Sequence, residues 1–419
     1  MKNKILLIGD DIRHTTGVAN ILKQIILHLV SDFDFVQLAC GKSRTNPSIV
    51  DVSESVSKIT GHTNSSVRLH ETNGYSSADQ LRSTLLMESP DAVVIMTDPH
   101  RYGWLFEIEH EVRTVCPLLY YHVWDNDPYP KFLKSIYNSC DWVGCISITT
   151  KKCIEKICPE HTNYTLVPHG VNTKIYHQQP DKQIIHNRID FLGQDYKFVL
   201  FCNNANTSRK QLANLIEGFS VFYENSVSEC DKGGVALLLH TNPDSPTGPD
   251  INCLLDDLFP DLPVFLSSET VTESVLNNMY NLAHCTINVA SAEGFGLATL
   301  ESVAAKTPII ISHTGGLKDQ YDKRWAEKIE PTIRLLSGTQ KTPYIYSDIC
   351  SSIDISAAIG QMYSRISCGD IDMSDSDNFL ETNKFTTRQM CKSIGQGIHH
   401  TIETFTPRDQ FKFTKVFVE

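Results

Sequence analysis

The segment Ser291 to Ala305, SAEGFGLATLESVAA, constrains the fold of this chain most. It lies between two short apolar runs, HCTINVA before it and KTPIIIS after it, and each has the length and composition of a buried strand. Between them stand a glycine-rich turn (Gly294, Phe295, Gly296) and the helical run LATLESVAA. Strand, tight turn, helix, strand is one unit of a parallel α/β sheet. In such a unit the turn sits at the carboxyl end of the strand, where open α/β sheets bind ligands. The first N–H groups of the following helix and its positive dipole end face the same crevice, which suits a phosphate. Glu293 lies in the turn and Glu301 eight residues further on, inside the helix. One carboxylate at the mouth and one behind the first turn suit hydroxyls on two parts of a long phosphorylated ligand, and a nucleotide sugar has that form. The plainer alternative is a surface helix with two solvated glutamates, but glutamate before Gly-Phe-Gly is a poor choice for a mere turn.

The remainder of the chain repeats the alternation. KILLIGDD reads as a first buried strand, followed by Thr15-Thr16-Gly17 at a strand-to-helix turn and by the periodic helix VANILKQIILHLV. FDFVQLAC, DAVVIMT, PLLYYHV and WVGCIS are further strands, and residues 41–80, rich in Ser, Thr and Asn, read as loop with short elements. His122 stands at the carboxyl end of PLLYYHV, with Asp125 and Asp127 just beyond. Residues 176–195 are polar, include Pro180 and read as a linker. KFVLFCNN opens a second half, and Arg209 and Lys210 follow at the start of its first helix. Cations oppose the dipole there, so the pair calls for an anionic partner such as a diphosphate. VFLSSET is a further strand, while DSPTGPDINCLLDDLFPD is an excursion without readable function. HTGGLKD is a glycine turn that either approaches a ligand or is only a turn, residues 331–350 are irregular, and two helical runs close the chain.

The E-x7-E pattern with EGFGL inside it, flanked by these strands, resembles the donor site of retaining glycosyltransferases of the GT-B fold, family 4 type. The resemblance implies an α/β chain of two doubly wound, Rossmann-like domains facing across a cleft. Residues 1–175 would form the acceptor-side domain and 176–399 the nucleotide-sugar domain, with a C-terminal helix at about 400–419 packing back on the first. It further implies transfer of a hexose-type sugar, with retention, from a UDP- or GDP-linked nucleotide diphosphate sugar to a hydroxyl acceptor (a glycan, a lipid-linked glycan or a small molecule), with no metal required. Carried over residue by residue, the catalytic group is Glu293, His122, Arg209 and Lys210. Glu293 would take sugar hydroxyls, His122 the transferred sugar, and Arg209 and Lys210 the departing diphosphate. Glu301 would accept from the ribose, while Gly294, Phe295, Gly296, Leu297 and Gly17 would approach the donor through the backbone. Leu266 to Ser268 occupy the turn that cradles the base in this family. The family often has Asp directly after His; here Val123 follows, so Asp125 competes for the polar role. Its Pro-Asn-Gly-Val-Asp-like segment is matched at Pro168, Gly170, Val171 and Asn172, with His169 in the Asn place, and NNAN stands where a further arginine often lies.

Composition narrows the partners. With 419 residues, 41% hydrophobic and 21% charged, the chain can bury a substantial core. A net charge of −12 gives no support to nucleic acid or an anionic membrane as partner, although a basic groove can hide in the average. No stretch approaches the ~20 apolar residues of a membrane span. The N-terminus resembles a signal peptide in its lysines, but the apolar run Ile5 to Ile8 is too short for one. The 13 cysteines lack CxxC spacing and read as free thiols of a reducing compartment, hence a cytoplasmic protein. Cys140, Cys145, Cys153, Cys158 and His161 crowd together, but their spacing is unlike a zinc ribbon, and core cysteines are the simpler reading. Two readings compete with transfer to a glycan or small molecule: a phage-type DNA-base glycosyltransferase, which needs a basic groove, and a nucleotide-sugar epimerase or binding relative, which needs no acceptor.

Overall fold

The computed structural model describes residues 2–340 and 342–407. The first sheet contains β1 (Asn3–Asp10), β2 (Phe33–Cys40), β3 (Ile49–Asp51), β4 (Val67–Glu71), β5 (Ala92–Ile95), β6 (Leu118–His122), β7 (Trp142–Cys145) and β8 (Tyr164–Leu166), in the order β3-β4-β2-β1-β5-β6-β7-β8. All neighbours are parallel except β3 and β4. The second sheet contains β9 (Phe198–Asn203), β10 (Val235–His240), β11 (Val264–Ser267), β12 (Cys285–Asn288), β13 (Ile309–Ser312) and β14 (Ala326–Ile329), all parallel, in the order β11-β10-β9-β12-β13-β14. A separate antiparallel hairpin joins β15 (Ile333–Ser337) to β16 (Ile345–Ile349).

Strands covered on both faces read as unbroken apolar runs. Ile5, Leu6, Leu7 and Ile8 of β1 are all fully buried. Leu6 and Ile8 pack with Val93, Ile95 and Tyr120 under one helical layer, and Ile5 and Leu7 with Ile25, Val94 and Leu119 under the other. In the second sheet, Leu200 and Cys202 face the helix Leu212–Ser226, while Val199 and Phe201 share a cluster with Tyr280 and Leu300. Each sheet therefore reverses strand order at one point: between β1 and β5 in the first, and between β9 and β12 in the second. Crevices at such switch points are where doubly wound sheets bind ligands.

The chain passes between the two halves along two adjacent segments. Val171 N–H donates to Phe385 O at 2.8 Å, and Thr387 N–H donates to Val171 O at 3.0 Å. The helix Thr387–Thr404, capped by the Thr386 side chain, then lies on the first domain. Its His399 ring packs 4.5 Å from that of Phe33, and Cys391 Sγ lies 3.6 Å from Gln24 O. The sequence places this returning helix at about 400–419; of that range, 408–419 lie outside the described residues, and the helix begins at Thr387.

Several stretches are more ordered than the sequence pattern predicts. Within 41–80, β4 is a full member of the sheet, although Arg68 and His70 break the apolar run that the neighbouring buried strands show. Both side chains bond the buried Glu88 carboxylate, which His70 Nε2 meets at 2.9 Å. The linker 176–195 carries the helix Asp181–Leu192, anchored by Arg188 Nε on Leu282 O at 2.9 Å. The excursion 244–261 holds the helix Ile251–Leu258, capped by Asp250. Residues 331–350, read as irregular, contain the hairpin β15–β16, whose Ile333, Leu335 and Leu336 remain exposed. Cys140, Cys145, Cys153 and Cys158 are buried free thiols, and no group of three or more His, Cys, Asp or Glu among the described residues is placed to hold a metal ion.

Candidate active site

The loops at the two switch points face each other. From the second domain come the turn Ser208–Lys210, after β9, and the turn 291–296, after β12. Gly296 adopts φ 96° at the start of the helix Leu297–Ala304, a backbone state open to glycine. The turn is held from beneath by the fully buried Gln320, whose Nε2 donates to Phe295 O at 2.8 Å and Gly296 O at 3.0 Å. Thr299 Oγ1 in turn donates to Gln320 Oε1 at 2.6 Å. HTGGLKD is thus a supporting element: Gly316 N–H donates to Glu293 O at 2.8 Å.

Lys210 Nζ pairs directly with Glu293 Oε2, and Arg209 Nη1 lies 3.5 Å from the same oxygen. Arg209 also reaches across the cleft to Asp125 Oδ2 at 3.7 Å and donates to Ala292 O. Burial pushes the Glu293 carboxyl upward, but Lys210 and Arg209 outweigh it and hold the group below the usual carboxylate range. Burial opposes the charge on Arg209, but Asp125, Glu293 and Asp98 raise its pKa. Glu301 is different. It is buried, accepts from Tyr280 Oη at 2.6 Å, and burial pushes its pKa up to about 7. Asn203 Nδ2 donates to the same Tyr280 hydroxyl at 2.9 Å.

The first domain supplies the opposite wall. Thr16 caps the helix Gly17–Leu29 and donates to Asp10 Oδ2 at 2.6 Å. A methyl group on Gly17 would lie 3.8 Å from Leu297 Cδ1, so two helix N-termini, one from each domain, meet at the cleft. Asp125 packs against Gly294, where an added Cβ would come 3.1 Å from its Oδ1. Asp98, after β5, presents its carboxylate to solvent on a crowded cleft floor, where burial and then Asp125 push it up to about 6.

The fold thus brings Glu293, Gly294, Gly296, Leu297, Arg209, Lys210, Gly17 and Asp125 to one cleft, with Glu301 behind the helix start. One expected residue sits differently. His122 lies in the first-domain core, fully buried, its Nε2 2.9 Å from Tyr137 Oη, and burial lowers its pKa to about 3. Strand alternation decides this: His122 points to the same face as Tyr120, into the helix layer rather than along the strand into the cleft. The Phe295 ring is buried against His169 and Phe385, so only its backbone is available to a ligand. Sequence reasoning missed Asp98, Gln320 and Tyr280, because each acts through a partner distant in the chain. His169 was noticed only as a departure from a motif; it bonds Tyr121 Oη at 3.0 Å and packs 5.3 Å from Phe295.

No family model and no curated protein matches the sequence. Solved structures do match. Sucrose-phosphate synthase of Thermosynechococcus elongatus is similar with a TM-score of 0.71 at 13% identity, over 96% of this chain and 100% of that one. The Anabaena protein HepE, solved with UDP and glucose, aligns with a TM-score of 0.67 at 11% identity, over 95% and 100% of the two chains. The α,α-trehalose 6-phosphate synthase of Burkholderia multivorans aligns with a TM-score of 0.64 at 12% identity, over 97% and 100%. At these identities the likeness is one of fold. Two facing doubly wound sheets, a helix returning to the first of them and alignment over nearly the whole of each chain give this chain the GT-B fold.

Proposed function

We propose that the protein is a glycosyltransferase that moves a hexose-type sugar from a nucleotide diphosphate sugar to a hydroxyl acceptor. The observation that carries this reading is the convergence of Glu293, Arg209 and Lys210 with two helix N-termini at facing switch points. In the reaction the bond from the anomeric carbon to the diphosphate breaks, a bond from that carbon to the acceptor oxygen forms, and the proton of the acceptor hydroxyl leaves with the departing diphosphate. The helix start at Leu297, Arg209 and Lys210 take up the charge that builds on the diphosphate. Their charge serves in place of a metal. Arg209 and Lys210 are then shared between Glu293 and the incoming diphosphate, which leaves an oxygen of Glu293 for the sugar hydroxyls. Glu301 accepts from the ribose, and Leu266 to Ser268 border the base. Retention follows from the family 4 resemblance.

UDP is the first donor nucleotide to try, because HepE is solved with UDP-glucose in the same fold. A cytoplasmic setting suits the thiols, of which Cys40, Cys202 and Cys285 are buried and unpaired. No helix among the described residues is long and apolar enough to cross a membrane. A thermal-shift panel of UDP, GDP, ADP and TDP with their common sugars, in EDTA and again with magnesium, tests the reading. A ligand at a hundred times its Kd stabilises by about 2.7 kcal/mol. One nucleotide family should shift the transition in EDTA. No shift with any donor overturns the reading, and a shift that needs magnesium overturns its metal-free form.

A further inference from the structure

A cavity of about 140 Å3 adjoins the cleft on the first-domain side. Its walls include Asp98, Trp124, Asp125 and Phe132, and Thr342 and Ile345 of the hairpin region close it from the second domain. A cavity of that order holds a six-membered ring. It opens towards the donor side through Asp125, whose carboxylate faces Arg209, itself 3.5 Å from Glu293.

The wall has two kinds of chemistry. Trp124 and Phe132 pack edge to face at 6.0 Å, and Phe132 meets Tyr344 at 5.1 Å, so the apolar surface is rigid. Trp124 Nε1 is committed to Asn126 O, which fixes the indole. Asp98 and Asp125 add two acceptor-only groups beside these rings. Among the described residues, His100 lines the cavity, but no lysine or arginine does. Arg101, the cation next in sequence to this wall, stacks over Tyr75 at 4.5 Å. A carbohydrate ring is complementary to such a wall, with C–H groups for the aromatic surface and hydroxyl donors for the carboxylates. A phosphate would face two like charges in a partly desolvated space.

We infer that this cavity is the acceptor subsite and that it takes an uncharged polyhydroxy ring in preference to a sugar phosphate. The inference rests on the donor-site reading above. Its class of acceptor differs from what the names of sucrose-phosphate synthase and trehalose 6-phosphate synthase indicate for those proteins' products.

The test uses the full chain and the nucleotide sugar that binds in the thermal panel. Calorimetry gives the donor Kd, and mass spectrometry follows transfer to glucose and maltose as neutral probes and to glucose 6-phosphate as the charged one. The neutral probes should be used with kcat/KM at least tenfold above glucose 6-phosphate. Asp98→Asn should lower transfer to the neutral probes tenfold or more and narrow that gap, with donor Kd within twofold of wild type. Phe132→Leu should raise KM for maltose and leave donor Kd alone. Equal or better use of glucose 6-phosphate overturns the inference, as does use of neither probe type, or transfer indifferent to Asp98. Wild-type protein that binds no nucleotide sugar instead sinks the donor reading, and the subsite with it.

Discussion

Glu301 and Glu293 belong to one short motif, yet their surroundings give them opposite electrostatics. Glu293 has two cations beside it and stays charged, whereas Glu301 has only neutral hydroxyl donors, Tyr280 and Tyr176, and is pushed up to about 7 by burial. In the free protein a raised carboxyl pKa stabilises the fold below the ordinary value of 4.5, and that contribution is lost as pH rises through about 7. Ribose hydroxyls donating to Glu301 favour its charged form, so donor binding should release a proton. Affinity for the nucleotide sugar should therefore be level above pH 7 and weaken below it, and Glu301→Gln should flatten the profile. Calorimetry in buffers of different ionisation enthalpy measures the proton directly; a wild-type profile without pH dependence contradicts the ribose role. At Glu293, replacement by Gln keeps the shape but removes the charge offered to the sugar. Transfer should fall by about 10²–10³-fold, with nucleoside diphosphate still bound, and full activity in steady-state assays would remove Glu293 from the reaction. The residue types and the spacing of this pair were legible in the chain. Their opposite ionisation was not, because Tyr280, Arg209 and Lys210 come from other elements.

Among the elements, the turn 291–296 depends on a support that its own sequence does not contain. The loop Thr314–Gly316 lies against it so closely that a Cβ on Gly316 would sit 2.2 Å from Gly294 O and 2.8 Å from Phe295 Cα. Both contacts are backbone and cannot swing aside. Gly316→Ala should cost about 1–3 kcal/mol of stability and displace the turn, so chemical denaturation should show the loss while donor binding disappears. Wild-type stability together with wild-type binding would mean that the loop is only a neighbour. The strands with long apolar runs and the helices with regular spacing were readable from pattern alone. Elements such as β4 and the hairpin β15–β16 were not. Half-buried Arg68 and buried His70 in β4 read as surface positions until Glu88 is seen beside them. The hairpin is held through Asp348, which accepts from Thr314 Oγ1 at 2.7 Å and Arg334 Nε at 2.9 Å, rather than by an apolar face.

Across the whole molecule, polar contacts join the two domains beside the aromatic ones of Phe295 with His169 and Phe132 with Tyr344. Asn126 Nδ2 reaches from the first domain to Asp348 Oδ2 at 3.0 Å and Tyr346 O at 3.2 Å, and Tyr346 N–H returns to Asp127 O at 2.8 Å. Asp319 accepts from Ile148 N–H at 2.8 Å across the same interface. Because Asp348 keeps two other donors, Asn126→Ala should loosen closure without unfolding the hairpin. We expect kcat to drop tenfold or more, with nucleoside diphosphate Kd within threefold and a larger radius of gyration in small-angle scattering. Unchanged kcat would show that this contact does not govern closure. The chain by itself determined the alternation of strands and helices, the two-domain α/β plan and the E-x7-E turn between two strands, because those rest on periodicity and on residues close in sequence. Only the tertiary structure decided which loops share the cleft, that His122 turns into the core and that the hairpin region closes a cavity against the first domain. Strand order, the side of a sheet to which a residue points and the partner of a buried charge are set by contacts between residues far apart in the chain, and no local pattern encodes them.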